Sequence, residues 1–422
     1  MSDKRNDTSG LPWHVWGCMA IAFTIPFAKK LVPGFIVLLG LYAVIFSLRT
    51  RKFHIRKHHI PLIALTLIFL LHLIGLSYSE HLDDGINETG IKLSYLAFPL
   101  IAWMIPSINS NGFKKILHAF VMGALMFIPI AIGCGIYRTF EYNDASYLSY
   151  ELLGNYLHPT YAATYEAFAL FILLRNASLH ELLLRKKWVH YSVCGIIVVF
   201  ICMLASKAGL IAALISLAMA GWCFWKNKIA VAAAFTIPIA GVCLMIMTSA
   251  LLPGAAERVE DAVSDIDAAT VALPEQDPLN IPAAHSSTEL RLVTWSAAWS
   301  VLQENFFGVG TGDTTPELVK KYEGQNETYA AERNLNAHNQ FLQVGAEHGW
   351  PSLLLLIACL GSLAFYAMKW KDILLMNFLL LCGMNFLFES FLEVQAGIVF
   401  FCFWVMVFLK KDPTSQSVDL RR

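Results

Sequence analysis

Long apolar runs constrain this chain more than any other feature. A membrane span needs roughly 20 mainly apolar residues. Twelve candidates meet that description, near residues 11–28, 31–48, 60–77, 91–108, 113–137, 159–175, 188–205, 207–225, 229–251, 350–368, 372–388 and 391–409. Composition agrees: 57% of the 422 residues are hydrophobic, 15% are charged, and the mean hydropathy is +0.56. A soluble domain has about 45–50% apolar and about 25% charged residues, so a soluble enzyme, a nucleic-acid binder and a disordered scaffold are all poor fits. The first run follows Lys4 and Arg5, as in a signal peptide. It lacks a small-residue cleavage site and leads straight into a second run, so an uncleaved helix is expected.

The formal net charge is zero, with 31 basic and 31 acidic residues. Their distribution is far from even. Roughly two-thirds of the Lys and Arg fall in alternate loops, the strongest block being RTRKFHIRKHH at 49–59, which the positive-inside rule makes cytoplasmic. Acidic residues show the opposite bias. Both termini are then expected in the cytoplasm, in keeping with an even number of spans. The cations that remain outside, Arg291 and Lys207 among them, are scarce on an acidic face.

Three longer loops fall on the outer side, at 78–90, 138–158 and about 252–349. The expected organisation is an N-terminal bundle over 1–251, a periplasmic loop or cap over 252–349, and C-terminal helices with a tail over 350–422. No repeat of 20–50 residues and no inverted similarity between halves is visible, which speaks against a twelve-span transporter or lipid-linked glycan flippase, where such symmetry is usual. The nine cysteines all lie in apolar runs without a Cys-x-x-Cys pair, so neither a disulfide framework nor a zinc site is expected from them.

The large loop opens with a Pro-punctuated acidic connector. It continues as SSTELRLVTWSAAWSVLQENFFGVGTGDT at 286–314. Ser286, Ser287 and Thr288 can cap a helix with Glu289 in its first turn, running to about Asn305 and ending at Gly308 and Gly310. Leu290, Thr294, Ala297 and Val301 share one face, and Arg291, Trp295 and Ala298 the adjoining one. A guanidinium there suits phosphate oxygens. Stacking on Trp295 or pairing with Glu289 is the commoner use of such an Arg. Near the loop exit, His338, Leu342, Gly345 and Gly349 follow i, i+4, i+7 and i+11, as one helical stripe would. An imidazole titrates near neutrality and can take a proton from a hydroxyl, although a lone His is more often a structural hydrogen-bonder. Asn339 and Gln340 beside it suggest a polar pocket. Farther on, Glu389 is expected in a cavity and Glu393 in solvent.

The pairing of RLVTWSAAW…NFFGVGTGD with NAHNQFLQVGAEHGWPSLLLL resembles the O-antigen ligase/polymerase superfamily, as do LHPTYAATYEAFAL at 157–170 and SKAGLIAAL at 206–214. The resemblance covers most of the chain. It implies an all-α polytopic membrane protein of about twelve transmembrane helices, GT-C-like, with a large helical periplasmic loop between helices nine and ten. It also implies a bacterial inner-membrane glycosyltransferase that takes its glycan from undecaprenyl pyrophosphate, with the active site on the periplasmic side. The family's loop Arg maps onto Arg291 and its exit His onto His338, the expected catalytic pair. Lys207 stands where the family often has Arg, keeping the charge but losing the bidentate fork. His158, Tyr161, Trp295, Asn339, Gln340 and Glu389 complete the expected substrate-binding set. Asp83-Asp84 reads as a solvated acidic turn, and no metal and no cofactor are expected in the transfer. The expected partners are the lipid-linked donor, an acceptor such as lipid A-core, and the bilayer, without nucleic acid. An O-antigen or exopolysaccharide polymerase and a protein O-oligosaccharyltransferase are alternatives within the superfamily.

Overall fold

A computed structural model describes residues 11–149, 152–153, 157–175, 187–223 and 287–412. The expected span 229–251, the connector at 252–285 and the capping Ser286 lie outside the described residues. The helices are α1 (Trp13–Thr24), α2 (Val32–Thr50), α3 (Ile60–Leu76), α4 (Leu82–Lys92), α5 (Ser94–Met104), α6 (Ser110–Tyr142), α7 (Pro159–Arg175), α8 (Lys187–Met203) and α9 (Lys207–Cys223). Then come α10 (Ser287–Glu304), α11 (Thr314–Gly324), α12 (Thr328–Glu332), α13 (Gln340–Trp370), α14 (Ile373–Phe388) and α15 (Gln395–Lys410). Among the described residues there is no strand, and one isolated bridge joins Ile108 to Lys411.

Three described helices, α2, α6 and α13, are long and apolar enough to cross a membrane, and α3, α9, α14 and α15 are shorter apolar helices. An all-helical architecture of this kind fits a polytopic membrane protein. Position in the bundle follows from the residue pattern. Between its ends α15 is apolar all round, and such a helix belongs inside; α7 is enclosed as well, although it carries Thr160, Thr164 and Glu166. Pro159 through Leu173 and Gly397 through Lys410 are indeed buried without interruption. Their rings interlock with neighbours: Trp404 meets Phe120 at 5.3 Å and Phe168 at 5.1 Å, and Tyr165 meets Phe400 at 4.6 Å. On α2 the opposite holds, with Val37, Leu38, Leu41, Ile45 and Leu48 all exposed. A row of bare aliphatic side chains is costly in water and neutral in a bilayer.

The helical stripe expected from His338 to Gly349 is not continuous. His338 precedes the helix with φ +44°, and Asn339 is the N-cap, its Oδ1 accepting from the backbone N–H of Phe341 and Leu342. At the far end Gly349 has φ +71° and ψ −166°, and α13 kinks there. The break frees carbonyls, and the loop after α10 takes them up: Val309 N–H donates to Ala346 O and Gly310 N–H to Glu347 O, both at 3.0 Å. In return Trp350 N–H donates to Phe306 O at 3.0 Å. A Cβ on Gly349 would sit 2.0 Å from that same oxygen, so the backbones touch where only glycine fits. Gly345 serves close approach, with Leu302 of α10 packed over it.

Candidate active site

The site forms where α3 and α14 end and where α7, α9 and α13 begin. His338 reaches it from the segment between α12 and α13. Its backbone is held on all sides: its N–H donates to Asn336 Oδ1 at 2.9 Å, and its carbonyl accepts from Trp295 Nε1 at 3.4 Å. Ala337 beside it donates to Gln343 Oε1 at 3.0 Å and accepts from Thr294 Oγ1 at 3.3 Å. Such a scaffold can keep a non-glycine residue at positive φ, a conformation that costs about 1–3 kcal/mol and concentrates at functional positions.

Facing it is Glu389, just past the end of α14. Asn339 Nδ2 donates to Leu387 O at 3.2 Å, and Ser390 Oγ donates to Asn336 Oδ1 at 3.2 Å, so the two loops are stitched together. That brings His338 Nδ1 to 3.4 Å from Glu389 Oε2, with side chains 30% and 18% exposed. Burial opposes ionisation of Glu389. The hydrogen bond from His338, with Arg291 and the neighbouring imidazoles, outweighs it and holds the carboxyl below its ordinary value. A carboxylate accepts, so the bond assigns the proton to Nδ1 and leaves the Nε2 lone pair for a hydroxyl.

Arg291 comes from the first turns of α10. Its guanidinium carbon lies 5.9 Å from the centre of the Phe388 ring, and its Nε is buried without a hydrogen-bond partner among the described residues. The expected helix faces hold: Thr294, Ala297, Ala298 and Val301 are buried, while Arg291 and Trp295 are half-buried toward the rim. His158 and Tyr161 open α7, with their rings 6.0 Å apart, and Tyr161 stacks on Phe391 at 4.8 Å. Lys207, half-buried, is the first residue of α9. Its neighbour Ser206 meets Thr160 at 3.1 Å, which sets the start of α9 beside that of α7.

Residues 192–357 match the family model of O-antigen ligase. The match joins this segment, somewhat less than half of the chain, to the O-antigen ligase/polymerase superfamily. The matched segment takes in Lys207, Arg291, Trp295, His338, Asn339 and Gln340, whereas His158, Tyr161 and Glu389 lie outside it. No curated protein matches the chain.

The site also has a polar floor that sequence reading missed. Glu393, expected in solvent, is instead paired with Lys92 at 2.7 Å, the side chains being 14% and 1% exposed. Lys92 Nζ also donates to Leu392 O at 3.1 Å, and Gln340 Nε2 donates to Glu393 Oε1 at 3.0 Å. A cation this deep must be neutralised, and Glu393 is drawn inward to do it. Gln340 therefore lies under the rim as a brace between α13 and the 391–393 turn, completed by Leu392 N–H donating to its Oε1. The GVGTGD loop, expected to end a helix, is a clamp as well. Asp313 accepts from the backbone N–H of Glu80 and of His81, each at 2.9 Å, and from His81 Nδ1 at 2.6 Å. Gly312 N–H donates to Glu88 Oε2 at 3.1 Å. Asp83 and Asp84 stay exposed in the first turn of α4, as expected of a solvated acidic turn.

Proposed function

We propose that this protein is an inverting glycosyltransferase of the GT-C type in a bacterial inner membrane. It moves a glycan from undecaprenyl pyrophosphate to an acceptor hydroxyl at the periplasmic face, joining O-antigen to lipid A-core. The observation that carries the reading is the rim itself: His338 oriented by Glu389, with Arg291 near enough to act electrostatically on the same carboxylate. His338 Nε2 takes the proton as the acceptor oxygen attacks the anomeric carbon. The bond from that carbon to the pyrophosphate oxygen breaks, and the lipid pyrophosphate leaves with the electron pair. Arg291 and Lys207 meet the charge that grows on it, so the transfer step needs no metal. Tyr161, His158, Trp295 and Asn339 shape the place where donor and acceptor meet.

The accompanying topology has twelve spans, both termini cytoplasmic and the rim periplasmic. The Lys/Arg blocks and the exposed aliphatic face of α2 support it. The test is transfer by purified protein supplied with lipid-linked glycan and lipid A-core. His338→Ala or Arg291→Ala should abolish transfer while expression and membrane insertion persist. Full transfer by either variant overturns the assignment, and chain elongation of the lipid-linked glycan without transfer to lipid A-core would make the enzyme a polymerase.

A further inference from the structure

Below the rim, three ligand-type side chains converge where solvent does not reach. His72 lies one turn before the end of α3, and Glu347 and His348 close the first segment of α13, just before the Gly349 kink. Each side chain is 1% exposed. One donor atom from each residue lies within 4.8 Å of the other two. His72 Nε2 is 3.3 Å and His348 Nδ1 3.8 Å from the same oxygen, Glu347 Oε1.

The surrounding hydrogen bonds settle which nitrogen carries each proton. His72 Nδ1 lies 2.9 Å from Ile68 O, a pure acceptor, so Nδ1 donates and Nε2 keeps its lone pair. Thr311 Oγ1 gives its one proton to His72 O at 2.8 Å, so its contact with His348 Nε2 at 3.1 Å is one in which the imidazole donates. His348 Nδ1 is then the lone pair. Among the described residues His72 Nε2, His348 Nδ1 and both Glu347 oxygens have no hydrogen-bond partner. Unshared pairs thus face one another in a buried pocket, an arrangement that repels unless a cation lies between them.

We propose that His72, Glu347 and His348 form a zinc site. Two imidazoles and one carboxylate are a ligand set that zinc takes, and the backbone and threonine bonds on the far ring nitrogens are the outer contacts that orient metal-bound histidines. Zinc bonds of about 2.0–2.1 Å in a tetrahedron separate ligand atoms by about 3.3 Å, the spacing that His72 and Glu347 already have. The ion would tie α3 to the kink of α13 and, through Thr311, hold the GVGTGD loop. It lies about 10 Å down the helix from Gln340 and takes no part in the transfer step.

The experiment uses full-length protein purified in detergent, freed of its affinity tag and never exposed to chelator. Elemental analysis should find about one zinc per chain, falling to background in His72→Ala and in His348→Ala. Chelation of the wild-type protein should lower its unfolding temperature, and added Zn²⁺ should restore it, a readout that needs no substrate and no folded variant. X-ray absorption of the wild-type zinc should show imidazole ligands. Zinc at background level, zinc retained in both variants, a spectrum without imidazole, or an unfolding temperature indifferent to chelator and Zn²⁺ would each overturn the site. Background zinc would mean that a proton on Glu347 bridges to His72 instead.

Discussion

The two ends of the helical bundle bury charge in opposite ways. At the rim, cations and carboxylates are matched: Lys92 with Glu393, and His338, His158 and Arg291 around Glu389. At the other end, where α3 begins and α15 finishes, Lys410 Nζ is buried without a hydrogen-bond partner among the described residues. Arg56 reaches Ser107 at 3.0 Å and His58 meets Leu409 O at 3.1 Å, so neutral groups receive those protons, and among the described residues Lys411 alone of this group pairs with a carboxylate, Asp372 at 3.3 Å. His59, in the turn before α3, is held down to about 3, by burial first and then by the charges of His58, Lys410 and Arg56. Matched charge positions groups for chemistry. A gathering of positive charge serves orientation in the membrane, in keeping with the proposed cytoplasmic placement of that end.

Breaking the match at the rim should have the largest effect. Lys92→Met leaves Glu393 buried and uncompensated, and should cost about 3–5 kcal/mol of stability in thermal unfolding. A double variant, Lys92→Met with Glu393→Gln, should recover most of that loss. If the single change costs nothing, the pair is not the floor of the site. Glu389→Gln comes next and should act on activity: transfer falls roughly 100-fold or more, within the roughly 10²–10⁴-fold range of general-base catalysis, while unfolding moves little. Because its folded carboxyl titrates below the ordinary value, the contribution of Glu389 is present above the ordinary carboxylate range and lost as pH falls through the folded value. The acid limb of the rate profile should therefore flatten in the Gln variant.

Smaller effects belong to the far end. His59 is neutral in the folded protein, and its folded value lies below the unfolded one near 6.5. Its share of stability is thus present above the unfolded value and lost as pH falls from there toward the folded one. His59→Gln should blunt that loss when unfolding is followed from neutral to mildly acidic pH. Lys410→Met should change least, leaving transfer intact and stability within about 1 kcal/mol, with stabilisation as the expected sign. A Lys410 variant that lost transfer would show that the unmatched end shares in the chemistry.

Much of the site was legible because its carriers sit in short local patterns. The residue spacing over 287–304 gives the α10 helix, and with it the common face of Arg291 and Trp295. The polar cluster at 336–340 marks a helix entry in an otherwise apolar stretch. The continuous stripe from His338 to Gly349 failed for a local reason too. Periodicity counts residues and cannot see that Gly349 takes positive φ once a second backbone supplies bonds for the freed carbonyls. Glu393 was misplaced because a charge beside a span looks solvated until its partner is known. That partner, Lys92, is 301 residues away in sequence.

Apolar run length and the placement of Lys and Arg determined by themselves that this chain is helical and suited to a membrane, because exclusion from water acts on each segment separately. Residue types likewise singled out His338 and Arg291. The tertiary structure alone decided what they face. Glu389 meets His338 across 51 residues, and His72 meets Glu347 from another helix. Those contacts depend on how buried polar groups from distant segments satisfy one another, a condition that no single stretch of sequence contains.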